Sequence, residues 1–357
     1  MLKPKRLFLV AAGSGGHILP ALVLGKQWQD DNPDGEILFF SSTRTLDQKL
    51  VCQTSIAQQS IFFSLSTFST RTWWKIPLVL VQLLYIFGSS FWHSLRLRPE
   101  KIICTGGLIG VPICLAGRLA GIAVEVYELN AVPGKAVKAL IPFAQTIFTP
   151  FAQTTQHYQL LGKSFAYKCK QAAYPLRFSK QVKINDPGKV IAQLNTQTGK
   201  QDFSIDKKTI LIVGGSQGSA FLNRCIQNLV AKSSFPKHNI QIIHQTGAGN
   251  LIHYRAWYVE QKITAHVFDF DPQIDKYYQI ADLIICRAGA GTLFEIAHFG
   301  KHSIVIPLVA STTAHQKDNA RAIAAQYPNL FTALDQQELE IDLTMLEQAV
   351  LTHLNIH

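Results

Sequence analysis

The chain has 357 residues, 47% apolar and 16% charged, and its 34 lysines and arginines against 23 acidic residues give a net charge of +11. That composition is globular rather than disordered, and the length suits two domains with a core each. The basic surplus calls for an anionic partner, a nucleotide or an acidic membrane face; with no Lys/Arg block interleaved with aromatics, nucleic acid is not expected.

Lys3-Pro4-Lys5-Arg6 before L-F-L-V-A-A imitates a signal peptide. The apolar run sits at the short limit of roughly 7–15 residues for such a segment and continues into a glycine turn, so a first strand, 7–12, is expected. The turn, A-A-G-S-G-G-H from Ala11 to His17, opens a helix over 18–28, and a second strand follows over 36–42. The most apolar window is 76–92, flanked by Arg71, Trp73, Trp74, Lys75 and then Trp92, Arg96, Arg98. It is shorter than the roughly 20 residues that span a bilayer. It fits a buried core helix, and it fits a helix lying in a membrane interface with tryptophans at headgroup depth.

Strands are expected at 101–105, running into Gly106-Gly107, at 124–127 and at 146–150, with a helix ending near Ala120 between the first two. This alternation implies a mostly parallel sheet covered by helices on both faces. From 178 to 208 the pattern becomes polar and reads as a linker or insertion, dividing the chain into domains 1–177 and 209–357.

The second half repeats the scheme. An apolar run, 210–213, enters G-G-S-Q-G-S (Gly214 to Ser219) before a helix over 220–230, and strands follow at 240–245, 266–270, 283–286 and 303–308. A helix start with free N–H groups favours phosphate. Ligands of such sheets bind beyond the carboxyl ends of the strands, so the fold expected is α/β, two doubly wound domains with both glycine turns on one cleft.

His17, at a strand end beside Gly15 and Gly16, is a candidate base, although a lone histidine there more often packs or caps. Glu128, Asp318 and Glu295 are candidate carboxylates. In C-R-A-G-A-G-T (Cys286 to Thr292), Thr292 could cap the next helix, and Glu295 could bind ribose hydroxyls or close a capping box with Thr292. His315-Gln316 opens a helix that could reach a sugar. Asp269-Phe270-Asp271 is too short a pattern to imply metal; no metal and no cofactor is expected. Neither turn carries a Walker lysine, and the first lacks the last glycine of G-x-G-x-x-G. The six cysteines lack C-x-x-C spacing and fit a reducing compartment.

Taken in order, G-S-G-G-H-I-L-P-A (13–21), T-G-G (105–107), E-x-N-A-V-P-G (128–134), G-G-S-Q-G-S-x-x-L-N (214–223), H-Q-T-G (244–247), A-D-L-I-I-C-R-A-G-A-G-T-x-x-E (281–295) and H-Q-x-x-N-A (315–320) resemble the MurG family of GT-B glycosyltransferases. The resemblance implies two Rossmann-like domains and transfer of N-acetylglucosamine from UDP-GlcNAc to the muramyl 4-hydroxyl of lipid I, giving lipid II. It places the enzyme peripherally on the cytoplasmic face of the bacterial inner membrane, the anionic surface being met through 71–98, with cell-wall or division proteins as further partners.

By the same resemblance, His17 is the base; Glu128, as an orienting or ligand carboxylate, is the other catalytic candidate. Ser14, Gly15 and Gly16 meet phosphates, Asn130 and Gln316 (beside His315) meet sugar, and Ser216 and Gln217 meet the donor. Ala290, Gly291, Thr292 and Glu295 form the uridine and ribose site, and Arg177 matches the arginine of a G-N-P-V-R motif. Departures are Leu108 for tyrosine, Tyr127 and Leu129 for His and Gln, Ala173-Tyr174 for Gly-Asn, and Asp271 for an apolar uracil contact. The sequence given also stops before a last helical stretch that the resemblance would lead one to expect. Other GT-B lipid glycosyltransferases, a UDP-GlcNAc 2-epimerase and a weakened UDP-sugar-binding scaffold are the alternatives.

Overall fold

A computed structural model describes residues 4–66, 74–160, 163–178, 186–199, 202–215, 218–247, 249–309 and 315–355. The chain divides into two compact units, Met1–Arg177 and Phe178–His357.

The first unit runs β1 (Arg6–Ala11), α1 (Gly15–Asp31), β2 (Glu36–Ser42), α2 (Thr45–Cys52), β3 (Gln59–Phe63) and α3 (Ile76–Leu97). It continues with β4 (Lys101–Gly106), α4 (Gly110–Leu119), β5 (Ala123–Tyr127), α5 (Lys135–Leu140) and β6 (Thr146–Thr149). A small hairpin, β7 (Gln159–Leu160) and β8 (Lys163–Ser164), precedes β9 (Cys169–Gln171). Seven strands form a parallel sheet in the order β3-β2-β1-β4-β5-β6-β9. Leu7 to Ala11 are all fully buried because helices cover both faces of this central strand, and one apolar cluster lies on each side.

The second unit runs α6 (Pro187–Thr198), β10 (Lys208–Val213), α7 (Ala220–Ala231), β11 (Ile240–Gln245), α8 (Leu251–Glu260) and β12 (Thr264–Phe268). Then come α9 (Asp275–Ile280), β13 (Leu283–Cys286), α10 (Ala290–His298), β14 (Ser303–Val305), α11 (His315–Gln326), β15 (Phe331–Ala333), α12 (Gln336–Ile341) and α13 (Thr344–Leu354). Its six-stranded parallel sheet has the order β12-β11-β10-β13-β14-β15.

In each sheet the chain winds outward on one side and then restarts on the other. The restart lies between β1 and β4 in the first unit and between β10 and β13 in the second. Those are the topological switch points, where the loops leaving adjacent strand ends diverge and open a crevice. Each glycine turn leaves from one of these strands.

Two expectations need correction. The segment 178–208 is not merely a linker: it contains α6, capped at its start by Asp186, whose Oδ1 accepts from the Gly188 N–H at 2.9 Å, and stopped by Gly199 at φ +69°. Val190 and Leu194 of α6 are buried, and the helix packs on α9. Likewise α3 is not a buried core helix. Its side toward the protein carries Val79, Ile86, Ser90 and Ser94, while Leu80, Val81, Leu84 and Tyr85 remain 54–70% exposed.

Candidate active site

At the first switch point, β1 ends in Gly13 (φ +95°) and α1 begins at Gly15 with Ser14 as its N-cap. His17 is half-buried, and its Nδ1 lies 2.8 Å from the Thr105 carbonyl oxygen. A carbonyl can only accept, so Nδ1 carries a proton, and in the neutral imidazole the lone pair is then on Nε2. Thr105 grips the same residue twice, since its Oγ1 donates to the His17 carbonyl at 2.8 Å.

The register of β1 against β4 explains that reach. Val10 pairs with Cys104 but Ala11 pairs with Gly106, so Thr105 is the extra residue of a bulge, a device that re-aims groups beside sites. Gly106 (φ +134°) has no room for a side chain: a Cβ there would stand 2.7 Å from His17 Cε1 and Nδ1. The T-G-G triplet is therefore the seat of the imidazole, a part of the site that its sequence alone did not reveal.

The other flank of the turn is held from the β2–α2 connection. Ser41 Oγ donates to the Ala11 carbonyl (2.8 Å), and Arg44 Nη1 donates to the Gly13 carbonyl (3.1 Å). Buried Asp47 accepts the Gly13 N–H (2.8 Å) and the Ser42 hydroxyl (2.5 Å) on one oxygen. None of these residues falls in a motif the sequence singled out.

Glu128 is fully enclosed. Its Oε1 accepts the Asn130 N–H and side-chain amide at 2.8 and 3.1 Å, and its Oε2 accepts the Gly134 N–H at 3.0 Å. Burial raises its pKa to about 7, against the opposing pull of those donors. Its hydrogen bonds run to its own loop, fixing Asn130, which is half-buried. Tyr127 and Leu129, two of the departures, are absorbed by packing: Tyr127 stacks on Phe148 with centroids 4.7 Å apart, and Leu129 is buried. Leu108 stands 50% exposed after the glycine pair, and Arg177 is half-buried at the end of the unit.

At the second switch point, Gly218 (φ +73°) lies so near the strand β11 end that a Cβ would meet the Thr246 carbonyl oxygen at 2.4 Å. Ser219 caps α7, accepting the Leu222 N–H at 3.3 Å. Ser216 and Gln217 lie outside the described residues. Buried Asn223 ties α7 to the Thr246 carbonyl (3.0 Å) and to His244 Nε2 (3.1 Å), while His244 Nδ1 meets the Tyr258 hydroxyl at 2.8 Å. Burial drives the His244 pKa down to about 3, so this anchor is neutral.

Arg287 is buried beside the same turn. Its Nε donates to Ser219 Oγ at 3.0 Å, and its Nη1 donates to the Ile306 carbonyl (3.0 Å) and Gln336 Oε1 (2.9 Å). Burial lowers its pKa only to about 10, so it remains a cation near the N-terminus of α7.

Helix α10 begins at Ala290 with Gly289 as N-cap and no side-chain cap. Thr292 therefore sits inside the first turn and does not cap, and the Thr292–Glu295 capping box does not form. Glu295, buried, accepts the Tyr278 hydroxyl at 3.0 Å. Ala290 is buried and Gly291 and Thr292 are half-buried, placing three backbone N–H groups at the start of α10. On α11, Gln316 Oε1 accepts the Leu308 N–H (3.0 Å), and burial lowers the pKa of His315 against the pull of Asp318. Asp271 pairs with nearly buried Lys276 at 3.0 Å and accepts the Gln273 N–H, so the D-x-D carboxylate is engaged within the fold. Among the described residues no group of three or more His, Cys, Asp or Glu side chains is placed to hold a metal ion.

Comparison with known proteins matches residues 7–149 to the glycosyltransferase family 28 N-terminal domain and 209–355 to the family 28 C-terminal domain. The UDP-N-acetylglucosamine--N-acetylmuramyl-(pentapeptide) pyrophosphoryl-undecaprenol N-acetylglucosamine transferase of Herminiimonas arsenicoxydans is 30% identical over 336 residues, covering 94% of this chain and 87% of that one. The chain belongs to the MurG family. The Bdellovibrio bacteriovorus member is 28% identical over 90% of this chain and 84% of its own. In three dimensions, MurG of Acinetobacter baumannii superposes with a TM-score of 0.70 at 24% identity, over 98% of this chain and 90% of that one. A UDP-GlcNAc 2-epimerase from Neisseria meningitidis also superposes, with a TM-score of 0.61 at 12% identity, over 98% of this chain and 93% of its own. Folding alone thus does not separate transferase from epimerase; the MurG sequence kinship does.

Proposed function

We propose that this chain transfers N-acetylglucosamine from UDP-GlcNAc to the 4-hydroxyl of the muramyl sugar of lipid I, forming lipid II with inversion at the anomeric carbon. The observation that carries the mechanism is the 2.8 Å contact of His17 Nδ1 with the Thr105 carbonyl. With Nδ1–H held there, the neutral ring takes the acceptor proton on Nε2. As the acceptor oxygen bonds to the anomeric carbon, the bond from that carbon to the diphosphate oxygen breaks and its electron pair leaves on UDP.

The leaving charge needs donors. In this reading Ser216 and Gln217 in the second turn and the guanidinium of Arg177 meet the diphosphate. Ser14, Gly15 and Gly16 present the start of α1, a 17-residue helix, to phosphate. Ala290, Gly291 and Thr292 face the uracil with backbone groups, and Glu295, which accepts the Tyr278 hydroxyl, takes the ribose hydroxyls. Asn130, Gln316 and His315 contact sugar. Glu128 acts through Asn130, as the organiser of its loop, rather than as a second base.

The exposed side of α3 supports attachment to the cytoplasmic membrane face. Leu80, Val81, Leu84 and Tyr85 form the apolar side, Trp74 and Trp92 stand at its ends, and Arg96 lies over the Trp92 ring at 4.8 Å. At 22 residues the helix is long and apolar enough to cross a bilayer, but its buried side is packed on α4, which favours lying in the interface.

The test is transfer from radiolabelled UDP-GlcNAc to a short-chain lipid I analogue, with and without excess EDTA. Wild type should form product in both, and His17→Ala should lose at least about 10²-fold in kcat while still binding UDP. Absence of transfer by wild type would sink the function, near-normal transfer by His17→Ala would sink the base, and loss with EDTA would show that a metal supplies the charge stabilisation.

A further inference from the structure

We propose that Asp47 is a positioning residue of the reaction: it fixes the peptide plane of Gly13, and through it the start of α1 that carries His17. This rests on His17 being the base. The observations are geometric. Asp47, on α2, is 1% exposed, and one oxygen receives both the Gly13 N–H (2.8 Å) and the Ser42 hydroxyl (2.5 Å). Arg44, from the same connection, takes the Gly13 carbonyl at 3.1 Å. Gly13 at φ +95° is thus held at its N–H and at its carbonyl by one short segment, four residues before the base.

The carboxylate is costly where it stands. Its other oxygen, Oδ1, is buried with no hydrogen-bond partner among the described residues. A buried acceptor left unmatched weakens folding. Retaining such a group beneath the turn that bears the base is what a site that accepts local cost for geometry looks like. The anchor also changes what the turn offers a ligand. The Gly13 N–H is already engaged by Asp47, so phosphate is left with the donors at the start of α1, beginning at Gly15. His17 is consequently clamped on two sides, by Thr105 from β4 and by Asp47 through Gly13.

The test compares Asp47→Ala, Asp47→Asn and Ser42→Ala in the full-length protein. Each is assayed for kcat and for KM of UDP-GlcNAc with the short-chain lipid I analogue, alongside thermal melts and His17→Ala. Asparagine can still accept both hydrogen bonds on its carbonyl and turns an NH2 toward the unmatched position. Asp47→Ala should lose about 10- to 100-fold in kcat, the scale of a misplaced reacting group, with KM for the donor within about threefold of wild type. Asp47→Asn should recover to within about threefold of wild-type kcat, and Ser42→Ala should fall by about threefold.

A wild-type kcat for Asp47→Ala, an asparagine variant as impaired as the alanine one, or kcat and KM failing together as the melt falls would each overturn the proposal. If Asp47→Ala does not fold, an unchanged kcat in Ser42→Ala overturns it. Near-normal transfer by His17→Ala would instead remove the base on which the inference depends, whatever Asp47 does.

Discussion

Replacing Gly106 with alanine separates two effects that a glycine usually merges. At φ +134° any side chain strains the backbone, by about 1–2 kcal/mol for a residue forced out of its ordinary basins. The new methyl would also stand 2.7 Å from His17 Cε1 and Nδ1. Ordinary carbon contacts lie near 3.5 Å, so the ring must retreat by about 0.8 Å, enough to break the Nδ1–Thr105 hydrogen bond or tilt Nε2 away from the acceptor. Displacements of about 1 Å at a reacting group cost on the order of 10²-fold in rate.

Gly121→Ala is the matched control. It too has positive φ (+80°), but its added methyl meets nothing within 4 Å, so it should cost similar backbone strain and leave kcat alone. The assay is transfer to the short-chain acceptor with a thermal melt on each variant. Gly106→Ala should melt below Gly121→Ala by the cost of the displaced imidazole and turn over about 10²-fold more slowly. If Gly106→Ala stayed within about twofold of wild-type kcat, the placement of His17 by the T-G-G triplet would be refuted.

Two further outcomes follow from the same structure. Glu128, with a pKa of about 7 in the fold against about 4.3 unfolded, binds more protons when folded, so its contribution is full at acid pH and is lost as pH rises through 7, by about 3–4 kcal/mol. Glu128→Gln removes that term, so denaturant titrations from about pH 5 to pH 8 should show the stability gap moving in the variant's favour, and a constant gap would contradict the burial argument. Leu84→Glu on α3, 70% exposed, should leave the melt and transfer to a short-chain acceptor unchanged while weakening binding to anionic vesicles by about tenfold. Undiminished sedimentation with vesicles would move the membrane face elsewhere.

The central strands, buried on both faces, were legible, and the runs at 7–12, 36–42, 210–213 and 240–245 fall within or beside β1, β2, β10 and β11. Short or half-exposed elements were not: β3 (Q-S-I-F-F), β9 and β15 carry too few apolar residues to stand out, and α6 buries only Val190 and Leu194 in a largely polar sequence. The burial of α3 could not be read because its residues are apolar on almost every side, which removes the periodicity that points a helix inward. At the site, glycine spacing revealed the turns but not their supports. Asp47 sits among ordinary polar residues, and only the β2–α2 connection brings it beneath Gly13. Thr292 shows the opposite failure, since its spacing to Glu295 fits a cap that Gly289 already occupies.

The buried histidine beneath the second glycine turn has a consequence for how the enzyme meets a change of pH. With its pKa near 3, and that of His266 near 4, both imidazoles are neutral around neutral pH. Glu128, in the other unit, titrates at about 7. A modest acid load is therefore felt by the loop that carries Asn130, while the anchor of the second turn keeps the same charge and the same hydrogen bonds. Acid sensitivity traced to these buried groups is confined to one half of the chain, and it should surface as a change in handling one substrate and not the other.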